Sequence, residues 1–220
     1  MTLLIREDFW NLLPIAELDW RLTTQQETSS LGGGDVLRAD VGPSLWEATV
    51  ACAPMPEATA RTIRTLLMRL ERPGAAFLAY DLHAPYPAAD PSGDVLRAHG
   101  GGSVAQGDIN AIDLGGSRIA IGELPIGYEL TAGDYVEIRY GLPTRYGLHR
   151  LIEGAIASAG GVAPFVEIVP ELRVGVSLGD TARLGQPGCK CVLTPGSVSY
   201  GTMRGGLIGG VGFALRQTLR

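Results

Sequence analysis

Charge is scarce in this chain. Only 19% of its 220 residues are Asp, Glu, Lys or Arg, aromatic residues make up 6%, and there are three cysteines. The low charged fraction beside 45% hydrophobic residues excludes an intrinsically disordered polymer. Cys52, Cys189 and Cys191 are too few for a disulfide framework, and the last two are too close together for an easy bridge. They are expected as reduced thiols of a protein made in a cytoplasm, with Cys52 in a core. No apolar run reaches membrane-spanning length, so no membrane insertion is expected. MTLLIREDFW carries acidic residues early and no apolar stretch of signal length. A formal net charge of −5 argues against bulk attraction to nucleic acid.

Chemical signatures are missing too. No G-x-S-x-G elbow is present, and Pro195 to Gly201 (PGSVSYG) has the wrong spacing. Cys189-Lys190-Cys191 has no second ligand pair for zinc, and alternation along a strand explains it with both thiols on one face. Asp81, Asp90 and Asp94 match no calcium loop, and Asp90 before Pro91 reads as a turn initiator. Gly32 to Gly34 and Gly100 to Gly102 lack the Lys-Ser/Thr of a phosphate loop. His83, His99 and His149 stand in unrelated settings, as structural or exposed histidines. The expectation is no catalytic, cofactor-binding or metal-binding residue.

Glycine (31) and proline (14) are plentiful, which favours short strands joined by many turns. Ala16 to Leu22 alternates, with Leu18, Trp20 and Leu22 on one face, as a half-buried strand does. Thr23 to Gly34 (TTQQETSSLGGG) reads as a polar loop. Leu45 to Cys52 alternates again, with Trp46, Ala48, Val50 and Cys52 facing one side. Pro54 to Glu57 opens a helix whose Ala60, Ile63, Leu67 and Leu70 share a face, and Pro73-Gly74 ends it. Phe77 to Asp81 reads as a strand and His83 to Gly102 as a long irregular loop. Strands then follow closely at Ser103–Asp113, Ser117–Gly122, Tyr135–Tyr140, Gly147–Ala157 and Pro164–Val169, with a last one at Gly212–Leu219 that returns to the first sheet. Pro125-Ile126-Gly127 and Thr131 to Asp134 mark tight turns.

The fold expected is mainly β, of the α+β kind: a β-sandwich with one packed helix and a second small β-barrel or sandwich. The boundaries expected are 1–102, completed by a strand within 205–220, and 103–204.

Three segments carry a family resemblance. They are Trp46 through Pro91 (strand, helix, "RPG", then "FLAYD"), Leu124 to Leu151 (LPIGYELTAGDYVEIRYGLPTRYGLHRL) and Phe165 to Pro187 (FVEIVPELRVGVSLGDTARLGQP). Together they resemble the distal tail proteins of long-tailed bacteriophages and gene transfer agents. The resemblance implies a virion protein of the tail tip, made in the bacterial host cytoplasm. It implies a homo-oligomer, a hexameric ring between tail tube protein and hub or baseplate proteins, with a channel for DNA that passes without specific binding. Tube and hub ring proteins share this ring-forming fold and remain an alternative, as does a carbohydrate-binding host-adhesion module using Tyr128, Tyr135, Tyr140 or Tyr146. A small wall-opening hydrolase would need a clustered His and carboxylate. A cyclic ring needs two different complementary patches. The candidate ring-interface residues are Arg61, Arg64, Arg69 and Arg72 on the helix, Gln25 and Gln26 in the first loop, and Tyr86 and Asp90 in the second.

Overall fold

The structure is a computed structural model, and it describes residues 2–30, 32–100 and 106–219. The chain is mainly β, with 50% of residues in strands and 12% in helices. It divides into two compact units, residues 1–77 with 191–218, and residues 78–190 with 219–220. The chain passes from one unit to the other within two strands, β5 and β14, defined below.

The first unit begins with β1 (Thr2–Leu4) and two short 3-10 turns at Arg6–Asp8 and Trp10–Leu12. Then come β2 (Ile15–Ser30), β3 (Val36–Cys52), β4 (Met55–Pro56), α1 (Glu57–Leu70) and β5 (Ala75–Tyr80). In the second unit lie α2 (Asp94–His99), β6 (Gln106–Ile112), β7 (Arg118–Gly122), β8 (Glu129–Leu130), β9 (Tyr135–Tyr140), β10 (Arg145–Leu151), β11 (Ala155–Ile156), β12 (Ala163–Val169) and β13 (Thr181–Arg183). The return is β14 (Gly188–Leu193), β15 (Ser199–Arg204) and β16 (Leu207–Gln217). One sheet runs β1-β5-β14-β16-β3-β2, with β15 and β4 also on β16. The strands β10-β12-β7-β6-β13-β9 close a barrel, and β8 pairs β11. Among the described residues no helix is long and apolar enough to cross a membrane.

Aromatic residues are few, and unit 1 holds most of the large ones. Phe9 meets Phe77 edge-on at 4.9 Å, Trp10 stacks on Phe77 at 6.3 Å and Trp20 stacks on Trp46 at 6.3 Å. Alternation along β3 turns Trp46, Ala48, Val50 and Cys52 inward, as expected. The expected helix face is also the observed one: Ala60, Ile63, Leu67 and Leu70 are buried, and Pro56 stands at the N-cap with extended backbone. Ile109, Ile119, Ile121, Val136, Ile138 and Val166 fill the barrel.

Three expectations are corrected. Thr23 to Ser30, expected as loop, is strand: β2 continues to Ser30 and is answered by β3, which starts at Val36. Backbone pairing needs no apolar side chain, and a polar ribbon carries no hydrophobic periodicity to reveal it. His83 to Gly102 contains α2, whose Leu96 is buried in the barrel core. Gly147 to Ala157 is two strands, parted near Gly154, where an added Cβ would stand 2.9 Å from the Leu130 carbonyl oxygen. Leu31, and residues 101–105 with the start of the strand expected from Ser103, lie outside the described residues.

Leu67 is fully buried. Leu67→Ala is expected to cost about 2–5 kcal/mol in denaturant titration. Leu67→Asp, which buries an unpaired carboxylate, is expected to abolish folding by circular dichroism.

Candidate functional site

The most conspicuous surface feature belongs to unit 1. Strand β16 pairs β3 from Ala51 to Glu47, and farther out β2 and β3 pair only with each other, up to Ser30 opposite Val36. A two-stranded arm therefore projects about 25 Å, at ~3.3 Å per residue. Its residues are exposed almost throughout, Val36 at 58% and Leu37 at 56% among them. Gln26 lies here and its side-chain nitrogen donates to Asp40 at 2.9 Å, while Gln25 sits half-buried beside Gly42 at a bulge. The base of the arm is fastened by Glu47, whose carboxylate accepts the Thr23 hydroxyl at 2.9 Å and pairs with Arg216 at 3.1 Å.

The helix arginines have separate fates. Arg61 pairs with Glu57 one turn back at 2.6 Å. Arg64 is turned inward, donating to the carbonyls of Tyr200 at 2.7 Å and Gly201 at 3.0 Å, and so ties α1 to β15. Arg69 and Arg72 are exposed in the last turn and just beyond it. Beside Arg72 a cleft of about 400 Å³ opens between the end of α1 and the segment after β14.

The other two candidates, Tyr86 and Asp90, belong to the second unit. Tyr86 is half-buried. Asp90 is buried, and its carboxylate accepts the Leu96 amide at 3.2 Å, one of the orphan donors at the start of α2. Asp90 thus serves the turn and the helix inside its own unit. Sequence reading missed this because an i,i+6 side-chain cap has no short motif.

Several polar side chains of the second unit bond to one another. Asp81 accepts the His83 amide at 2.9 Å and sits 2.8 Å from the His83 Nδ1, while its other oxygen takes the Tyr135 hydroxyl at 3.2 Å. This is a local Asx turn, and no described hydroxyl or thiol is hydrogen-bonded to the other ring nitrogen of His83. Tyr128, Tyr135 and Tyr140 are buried, and Tyr146 is half-buried with Arg139 over its ring. Burial first, then Asp90 and Asp134, pushes the Tyr128 hydroxyl above its ordinary range. Among the described residues no group of three or more His, Cys, Asp or Glu side chains is placed to hold a metal ion. Cys189 and Cys191 are buried in β14 with the half-buried Lys190 between them, and Cys52 is a buried thiol that burial pushes up to about 11.

His149 is fully buried on β10. Its Nδ1 lies 2.6 Å from the Pro170 carbonyl oxygen, an acceptor, so that nitrogen carries the proton and donates. Nε2 is then a bare acceptor with no partner among the described residues, sealed against Gly147, where an added Cβ would come within 2.8 Å of it. Burial holds its pKa down at about 4 against 6.5, with Arg173 adding to the depression.

Two outcomes follow from these side chains. As pH falls below about 6.5 the unfolded chain takes up a proton that folded His149 refuses, so stability is full above that pH and declines towards about 4, by on the order of 3 kcal/mol. Urea midpoints across that range measure this, and His149→Gln is expected to flatten the slope; an unchanged slope would show that His149 is not buried neutral. The three thiols are expected to react slowly with an aromatic disulfide reagent in the native protein and rapidly after denaturation.

Set against protein-family models and against curated proteins, the chain matches none of them.

Proposed function

We propose that this chain is a structural subunit of a phage-like tail tip, a distal tail protein. It assembles with copies of itself into a ring, most simply a hexamer, that joins the tail tube to hub or baseplate proteins. The reading assigns it no catalysis. Unit 1, read as a β-sandwich with packed α1, is the ring-forming module, and the barrel unit braces neighbouring proteins. The observation that carries this reading is the β2–β3 arm. A lone two-stranded ribbon in water is marginal, and exposed strand edges invite pairing with another chain. Neither face of the arm is covered by its own unit, so its natural complement is another subunit. The family resemblance of Trp46 to Pro91, Leu124 to Leu151 and Phe165 to Pro187 supports the same conclusion.

Charge fits a conduit. The arm bears Glu27, Asp35 and Asp40 against Arg38 alone, and a wall with an acidic balance does not retain passing DNA through counterion release. A tube terminator or hub ring would use the same arm, and only position in the particle separates these roles. The tyrosines considered for sugar stacking are buried or half-buried, so no observation favours the adhesion reading.

Replacing residues 25–41 by Asn-Gly tests the proposal. The shortened protein is expected to keep its thermal transition and lose self-association in native mass measurement, and particles built with it are expected to lack a closed tip. A tail structure with this chain present as isolated monomers would overturn the reading, as would an oligomer indifferent to loss of the arm.

A further inference from the structure

The barrel of the second unit is crossed at one end by its own chain. Its strands run β10-β12-β7-β6-β13-β9 around the closed ring, which puts β12 and β13 on opposite sides. The segment that joins them, residues 170–180, therefore crosses the barrel mouth. It passes between the β6–β7 and β9–β10 turns. The Leu172 amide donates to the Gly116 carbonyl of the first turn at 2.8 Å. Gly175 lies against the ring of Tyr140, where the second turn begins. Along the crossing, Leu172 and Val176 pack on the barrel core, while Val174 and Leu178 face solvent.

The outermost side chains of this mouth are aliphatic. Leu114 stands in the β6–β7 turn, Leu142 in the β9–β10 turn and Val174 on the crossing segment, and each is wholly or almost wholly exposed; Leu178 is 66% exposed. Core packing accounts for Leu172 and Val176 but for none of these four. Exposure so complete means that no neighbour covers Leu114, Leu142 or Val174, so they are separate projections rather than the floor of a groove. A protein partner would need a matched pocket for each. Fluid hydrocarbon has no shape to match, and the attraction of apolar surface for it is non-directional. The charges agree. Asp113 accepts the Arg118 amide at 3.2 Å and Asp180 the Ser177 amide at 2.7 Å, so these carboxylates serve their own turns. Glu171 is the remaining acid of the three loops, against Arg145 beyond Leu142 and Arg173 beside Val174. Guanidinium groups on long stems beside apolar tips suit lipid phosphate, with the stem in the apolar layer and the head at its edge.

We propose that this end of the barrel docks on a phospholipid bilayer, with Leu114, Leu142 and Val174 entering the acyl boundary and Arg145 and Arg173 meeting phosphate oxygens. Entry by loop tips is shallow and needs no spanning helix. The inference concerns the barrel unit and does not rest on the ring reading above. Both turns and the crossing segment are fastened to one closed barrel, so the tips enter together. Apolar area supplies most of the attraction and the two arginines the remainder, so binding survives screening by salt.

The test is flotation of the full chain with vesicles of phosphatidylcholine and phosphatidylglycerol. The unaltered protein is expected to float with the vesicles, and to do so still at about 0.5 M salt, where exposed charges are screened. Leu114→Ser, Leu142→Ser and Val174→Ser are each expected to weaken partitioning about tenfold. These positions are exposed, so the thermal transition is expected to stay where it was. In a second measurement Leu142→Cys carries an environment-sensitive dye, the native thiols being buried. Its emission is expected to shift to the blue on vesicles and to be quenched by lipids brominated in their acyl chains. Unaltered protein that stays in the soluble fraction overturns the proposal, as does binding that is indifferent to the three substitutions or abolished by salt. Tip variants that lose self-association, beside an unaltered protein that ignores vesicles, would overturn it too and assign the surface to a second copy.

Discussion

Unit 1 depends on one ladder, strand β16. It pairs β3 on one side and β14 on the other, and carries β15 and β4 besides. Its inward residues Ile208, Val211, Phe213 and Leu215 are buried. Backbone approach is close enough that an added Cβ on Gly212 would stand 2.7 Å from the Val50 carbonyl oxygen, so that position admits no side chain. At the far end the Gln217 side chain accepts the Trp46 amide at 3.2 Å, and Arg216 reaches Glu47. Without this strand β3 and β14 would have no common neighbour, and the arm would lose a fastening at its base.

Elements with apolar alternation were legible in the sequence. Trp46, Val50 and Cys52 declared β3, Ile63 and Leu67 declared α1, and Tyr135 to Tyr140 was read with the bounds it has. The β-rich character and the barrel's strand spacing were legible for the same reason: burial leaves a period. The arm was not, because both its faces meet solvent and nothing selects apolar residues at every second position. α2 escaped because six residues are under two turns and only Leu96 is fully buried.

The candidate surface was legible only in part. Arg64 and Arg72 read alike in sequence, yet the fold uses Arg64, on α1, and leaves Arg72, just past its end, exposed. The difference is the distant backbone of Tyr200 and Gly201, more than 130 residues away, whose carbonyls accept from Arg64. Asp90 has the reverse history: it reads as an exposed turn residue, and its carboxylate is turned in to cap α2. Long-range acceptors leave no mark on local pattern, so a cation's role is decided by topology rather than by its neighbours in the chain.

The position of Arg216 has a consequence for the timing of synthesis. The barrel unit, residues 78–190, is continuous in sequence apart from 219–220, and it leaves the ribosome before β16 exists. Until Leu207 to Gln217 have emerged, β3 lacks its inner neighbour, the arm lacks its Arg216 anchor, and the segment beyond β14 lacks the Ala214 carbonyl that holds Thr194. The anchor at the base of the arm and the bond that holds Thr194 thus form together, only once β16 has been made. A chain cut short before Leu207 carries neither, so its arm hangs on the β2–β3 pairing alone.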